Sequence, residues 1–416
     1  MDYLPNKIIE IKKSASLMSE EIIATRRHFH RNPEMSWRET ETSLYIARRL
    51  EEWGLTDVRR GFGGTESGVV ADLAGDAPGP CVALRADIDA LPVFEKNDAD
   101  WRSQNLGVMH ACGHDAHMSA LLAAAKILAA MKPDIRGRIR FIFQPAEEIG
   151  APSGARAMIG EGVLDGVDAI GGMHVWSFVR AGLVQWKSGP VMASSDRFDI
   201  KFTGMGGHGA MPHDAIDPFV PTAAFVHAVQ TIASREINPL EAVVVSIGKI
   251  AGGAVHNIIP DEVEIYGSIR AFNPEIRRTM EDRLRRVADG IASAHRCQCE
   301  VKVEYLVPSV TNDAPLTEVF RRAAVLAVGE GNVGESPHLM VSEDFSFFQE
   351  KIPGTFFFLG VGNPAIGADY PHHSPLFTID ESVLATGAAL YAAFGLSALE
   401  SLKSGLLKAH EPLKQP

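Results

Sequence analysis

Apolar positions switch period along the first part of the chain. Ile8, Ile9, Ile11, Leu17, Ile22 and Ile23 recur at helical spacing, which predicts a helix over 6–31 closed by the turn pair Asn32-Pro33. A second helix is predicted over 39–53, ended by Gly54. Beyond it the apolar runs become short and continuous. Residues 68–74, 81–86, 138–143 and 169–175 are rich in Val, Ala, Leu, Ile and Phe, the pattern of buried strands. An Ala/Leu-rich helix is predicted at 118–131 among them. Strands and helices alternate to about 190, so this part is predicted to be α/β, with a mainly parallel central sheet flanked by helices.

From 193 the texture changes. An alternating strand at 198–202 is followed by the glycine-rich stretch 204–209, a helix at 218–235, strands at 242–250 and 262–272, a charged helix at 274–294 and a strand at 298–306. The order β-α-β-β-α-β is that of a ferredoxin-like unit. An inserted α+β domain is therefore predicted over 193–306. Residues 1–192 and 307–416 form the α/β domain, which resumes with a helix at 315–329, a strand at 355–360 and a helix at 381–403. The polar tail past Lys403 is expected to fray. Two domains also suit the length, since 416 residues exceed one ordinary core.

Composition narrows the partners. Net charge is -12, and basic pairs such as Arg277-Arg278 and Arg285-Arg286 are short and mixed with acids, which argues against nucleic acid. The start, MDYLPNKIIEIKKS, lacks the apolar core of a signal peptide, and no apolar run of the roughly 18 residues a membrane span needs stands out. No membrane role is expected. Four cysteines, Cys81, Cys112, Cys297 and Cys299, form no C-x-x-C pair. A reducing cytoplasm is the expected compartment.

The densest chemistry lies from His110 to His117, where Cys112, His110, His114, His117 and Asp115 crowd together. Thiolate and imidazole are ligands of borderline-soft divalent metals. Cys112 and His114 can share one metal if Gly113 makes a tight turn. His110 and His117 are expected to be neighbours rather than ligands, and Asp115 to fix a ligating imidazole. Glu147-Glu148 follows an apolar strand and Gln144-Pro145; one such carboxylate can bind metal while the other acts as general base. His174 follows Gly171-Gly172-Met173, His372-His373 sits in a loop, and Asp87 ends a strand where it can orient a ligand histidine. One thiol, three imidazoles and one carboxylate with a second to spare fit a two-metal hydrolase.

The chain resembles the amidohydrolase branch of the aminoacylase/carboxypeptidase di-metal peptidases, which includes hippurate hydrolases, N-acetyl-diaminopimelate deacetylases and hydrolases of indole-acetyl amino-acid conjugates. The matching stretches are RRHFHRNPEMSWRETET, LRADIDALP, MHACGHDAHM, FQPAEE, GMHVW, GHGAMPHDAIDP, HNIIPD, GSIRAF, SEDFSFF and HHSP, from about Arg26 to Gly387. The resemblance implies two divalent metal ions per subunit (Zn, Mn, Co or Ni), held by Cys112, His114, Glu148, His174 and His373. It implies Glu147 as general base and Asp87 as a supporting carboxylate. Sister branches keep a histidine where this chain has Arg85, which makes Cys112 the compensating ligand. His372 and His373 both stay open as the last ligand, His373 being favoured because the family ligand stands two before the proline. The inserted domain is implied to be a lid and dimerisation domain, as part of a homodimer or higher homo-oligomer. His208 would reach the partner's site and stabilise the oxyanion, and Asn257 and Arg270 would hold the substrate's backbone groups. The expected reaction is hydrolysis of the amide of a small N-acyl amino acid, hippurate-like or N-acetyl; the alternative is a carboxypeptidase or dipeptidase.

Overall fold

The computed structural model describes residues 3–408. The buried runs assemble into an eight-stranded sheet. Its order is Thr56–Arg60, Val69–Ala74, Arg136–Gln144, Ala77–Asp87, Ala169–Arg180, Gly354–Gly362, Val184–Trp186 and Val333–Glu335. The four central strands, Arg136–Gln144 to Gly354–Gly362, are parallel to one another, and antiparallel pairs flank them. All of Gly354–Gly362 is buried, as expected for a parallel strand covered on both faces. The helices His114–Ala130, Ala314–Val328 and Leu384–Lys403 bury side chains in the same core. There Phe320 stacks on Phe357 with ring centroids 4.0 Å apart. Burying one such side chain stabilises the fold by about 1.5–3 kcal/mol.

Several expected boundaries move. The helix expected over 6–31 is two, Tyr3–Leu17 and Ser19–Arg31, broken at Met18, whose ψ of 5° leaves the helical range. The helix expected from 118 begins at His114, so His114, Asp115 and His117 lie in its first turn. The strand expected to end at 175 continues to Arg180. Glu381–Lys403 is long and apolar enough to cross a membrane, contrary to the expectation that no run is. However, 83% of its apolar window is buried inside the protein, so packing accounts for its composition. The tail expected to fray lies, from 409, outside the described residues.

A second unit comprises Pro190–Val310 and His338–Glu343. Its antiparallel sheet runs Val243–Gly252, Glu262–Ala271, Ser195–Thr203, Gln298–Val307, the order of a ferredoxin-like fold. Helices Phe219–Ala228 and Pro274–Ala294 contribute Phe225, Met280, Leu284 and Ala288 to a separate core. Asn273 caps the longer helix by accepting from Glu275 N–H, and Pro274 supplies its first turn. The unit begins at Pro190 rather than at the expected 193, and it includes 338–343, which lie outside the expected 193–306. That short segment has no periodicity of its own; it is held by backbone bonds from Ala193 N–H to Leu339 O and Val341 O.

Candidate metal centre

Three elements of the first unit bring the donors together. Ala77–Asp87 stops pairing with Ala169–Arg180 at Arg85, opposite Gly172, so the second strand continues past it with one edge open. Val175 N–H on that edge donates to His117 Nε2 at 2.8 Å. His117 Nδ1–H donates to Asp87 Oδ1 at 2.5 Å. Both ring nitrogens of His117 are thereby committed.

The turn before His114–Ala130 depends on Gly113. Its φ is +92°, and a Cβ there would lie 2.4 Å from Val175 Cγ2. Only glycine meets both demands. Cys112 and His114 consequently face the same space. His114 Nδ1 lies 2.9 Å from the Asp89 carbonyl oxygen, which can only accept, so Nδ1 carries the proton and Nε2 points at the cluster. His174 Nδ1 likewise donates to Val175 O at 2.6 Å, and its Nε2 lies 3.5 Å from Cys112 Sγ.

Glu147 and Glu148 occupy the turn after Arg136–Gln144, preceded by Ala146 at a φ of +52°. Glu148 Oε1 is 3.8 Å from His114 Nε2, and its Oε2 is 3.5 Å from His373 Nε2. Cys112, His114 and His174 offer donor atoms within 4.8 Å of one another, as do Cys112, Glu148 and His373, and His114, Glu147 and Glu148. His372 is used differently: Nδ1 donates to Cys112 O at 3.2 Å, and Nε2 accepts from Ser177 N–H at 3.3 Å.

The donor set fits a divalent cation. His114 Nε2 and Glu148 Oε1 are buried and face each other without a hydrogen-bond partner. Leaving such groups unmatched costs about 1–3 kcal/mol each, and a cation between them removes that cost. Electrostatics agree. Burial, with the Asp89 and Asp87 charges, pushes Glu148 up to about 7 against the pull of His114. Burial and the carboxylates of Glu148, Glu147 and Asp87 push the Cys112 thiol well above its usual range. Burial lowers His114, but Asp87, Asp89 and Glu148 outweigh it and raise it to about 10.

The remaining residues play other parts. Asp87 contacts Arg85 Nη1 at 2.8 Å and His117; it faces His114 Nε2 only at 3.8 Å. The carboxylate that orients His114 is not the expected Asp87 but Asp89, two residues on. Burial raises Asp87, but His114, His117 and Arg85 prevail and hold it well below the usual carboxylate range. Arg85 is fully buried and bridges Asp87, Gln144 and Asp344. Asp115 fixes no ligand: it pairs with Arg26 and His30 at 2.7 Å each. His110 is buried with neither nitrogen hydrogen-bonded.

His208, Asn257 and Arg270 belong to the second unit. Gly207–His208 pairs antiparallel with Ile258–Ile259, and Gly209 N–H donates to Asn257 O, so His208 and Asn257 are exposed neighbours at a short two-stranded sheet. Arg270, half-buried near the end of Glu262–Ala271, donates to Ser342 Oγ at 3.2 Å.

The sequence matches the description peptidase family M20/M25/M40 over residues 83–396. It is 41% identical over 385 residues to thermostable carboxypeptidase 2 of Saccharolobus solfataricus, covering 92% of this chain and 96% of that protein. It is 40% identical over 384 residues to N-acetyl-L-cysteine deacetylase of Bacillus subtilis, covering 91% and 89%. A Bacillus subtilis crystal structure described as a dinuclear metal-binding peptidase of the M20 family superposes with a TM-score of 0.82 at 36% identity, covering 92% and 99%.

Proposed function

The chain belongs to peptidase family M20/M25/M40, and from that premise we infer that it hydrolyses the amide bond of N-acyl amino acids, releasing a carboxylic acid and a free amino acid. The observation that carries the reading is the buried, partnerless pair His114 Nε2 and Glu148 Oε1, set among Cys112, His174 and His373 with Glu147 alongside. Cys112, His114, Glu148, His174 and His373 would hold two divalent ions. Thiolate and imidazole suit zinc, cobalt or nickel, and carboxylate also admits manganese. Bound there, the ions would supply Lewis-acid polarisation of the scissile carbonyl and acidify water.

The chain's own residues do the rest. Glu147 takes the proton of the attacking water and delivers it to the leaving amine nitrogen. Asp87, kept ionised, holds His117 in the tautomer that receives Val175 N–H and so keeps the strand bearing His174 in place. Arg270 takes the substrate carboxylate, a role supported by its having no ion pair among the described residues, and Asn257 takes a backbone group. His208 donates to the oxyanion in the site of the partner subunit of a homodimer. Exposed Met205, Met211, Phe219, Val220 and Ile258 on the same unit support such an association. The compartment is a reducing cytoplasm, in keeping with four free thiols.

The carboxypeptidase likeness keeps a second reading, cleavage of short peptides. A panel of hippurate, N-acetyl amino acids and dipeptides decides. Higher kcat/KM on the acyl amino acids is the expected result, and preference for dipeptides overturns it.

A further inference from the structure

We infer that Asp89 is a positioning residue that holds His114 and Glu148 at one fixed separation. The inference rests on the reading of those two residues as metal ligands. Asp89 lies just beyond the strand Ala77–Asp87 and is 1% exposed. Its backbone carbonyl and its Oδ1 lie 2.9 and 3.2 Å from His114 Nδ1. Those contacts place the proton on Nδ1 and leave the Nε2 lone pair for a cation. Its other oxygen, Oδ2, accepts from Glu148 N–H at 3.0 Å and from Ser36 Oγ at 2.6 Å.

One carboxylate thus ties together the first turn of the helix His114–Ala130, the turn carrying Glu147 and Glu148, and the loop after Pro33. The two ligands come from separate elements, and their facing atoms, His114 Nε2 and Glu148 Oε1, lie 3.8 Å apart without a hydrogen bond between them. Their spacing is set through Asp89. The neighbouring Asp115 supplies a contrast. It is equally buried and adjacent to His114, yet its oxygens go to Arg26, His30 and Ala116 N–H and touch no proposed ligand.

The test is Co²⁺ binding to metal-stripped full-length protein, followed by visible absorption and by the thiolate-to-cobalt charge-transfer band. Thermal unfolding of each metal-free variant is read alongside. Asp89→Ala should bind Co²⁺ about 10–100-fold more weakly. Asp89→Asn, nearly isosteric, should lose less, because its amide oxygen still accepts from His114 and its NH2 can donate to Ser36 Oγ, while only Glu148 N–H loses its acceptor. It carries the test if the alanine variant does not fold. Asp115→Asn should lower the unfolding temperature but leave Co²⁺ affinity nearly unchanged. Wild-type affinity in both Asp89 variants overturns this inference alone, as does an equal loss in Asp115→Asn. A wild-type protein that takes up no Co²⁺ overturns the metal reading, and this inference with it.

Discussion

Glu147 and Glu148 share one turn, and the proposed function assigns them opposite duties. Glu148 is pressed against His114 and His373, whereas Glu147 is the proposed base. Glu147→Gln should retain its metal and lose turnover by about 10²–10⁴-fold; substantial activity in that variant rejects the base assignment. Cys112→Ser should weaken metal binding more than His110→Gln, measured by competition with a chromophoric chelator, and the reverse ranking sinks the thiolate assignment. Protonation gives a third test. In the metal-free protein the Cys112 thiol and His114, the latter near 10, both hold protons at neutral pH, and metal must expel them. Affinity should therefore rise with pH and fall in acid, with proton release seen by calorimetry in two buffers. An affinity flat with pH contradicts it. The donor types were visible in the sequence because Cys, His and Glu cluster at strand ends. Asp89 was not, because its role consists of contacts to residues remote along the chain, and nothing in LRADIDALP distinguishes its two aspartates.

At the scale of elements, the site depends on two irregularities. One is the left-handed Gly113 that starts the helix His114–Ala130. The other is the unpaired edge of Ala169–Arg180 beyond Gly172. Gly113→Ala would meet both a forbidden φ and Val175 Cγ2, so it should destabilise the protein by about 1–3 kcal/mol in denaturant unfolding and weaken metal binding. Unchanged stability would mean that the turn is not as tight as described. Strongly periodic elements such as Pro274–Ala294 were legible to the residue. The break at Met18 was not, since apolar spacing continues through it. Nor was the extension of the His174 strand to Arg180: residues 176–180 mix Trp, Ser, Phe, Val and Arg and carry no buried run.

For the whole molecule, the order of motifs along the chain carried both units, because alternating strands and helices constrain topology more tightly than any single boundary. The return of 338–343 to the second unit escaped that logic, being a tertiary pairing without local pattern. The proposed dimer yields its own test. Mixing inactive Glu147→Gln with inactive His208→Ala should restore activity that neither has alone, since a mixed dimer holds one site with both groups intact; no recovery after subunit exchange contradicts action in trans. The central claim, that a divalent metal held by this donor set drives amide hydrolysis, has a more direct test. It is the rate of N-acyl amino acid hydrolysis by one preparation as isolated, after stripping with chelator, and after return of zinc, manganese, cobalt or nickel. The account predicts loss of activity on stripping and recovery with at least one of these ions; full turnover by protein shown to be metal-free would contradict it.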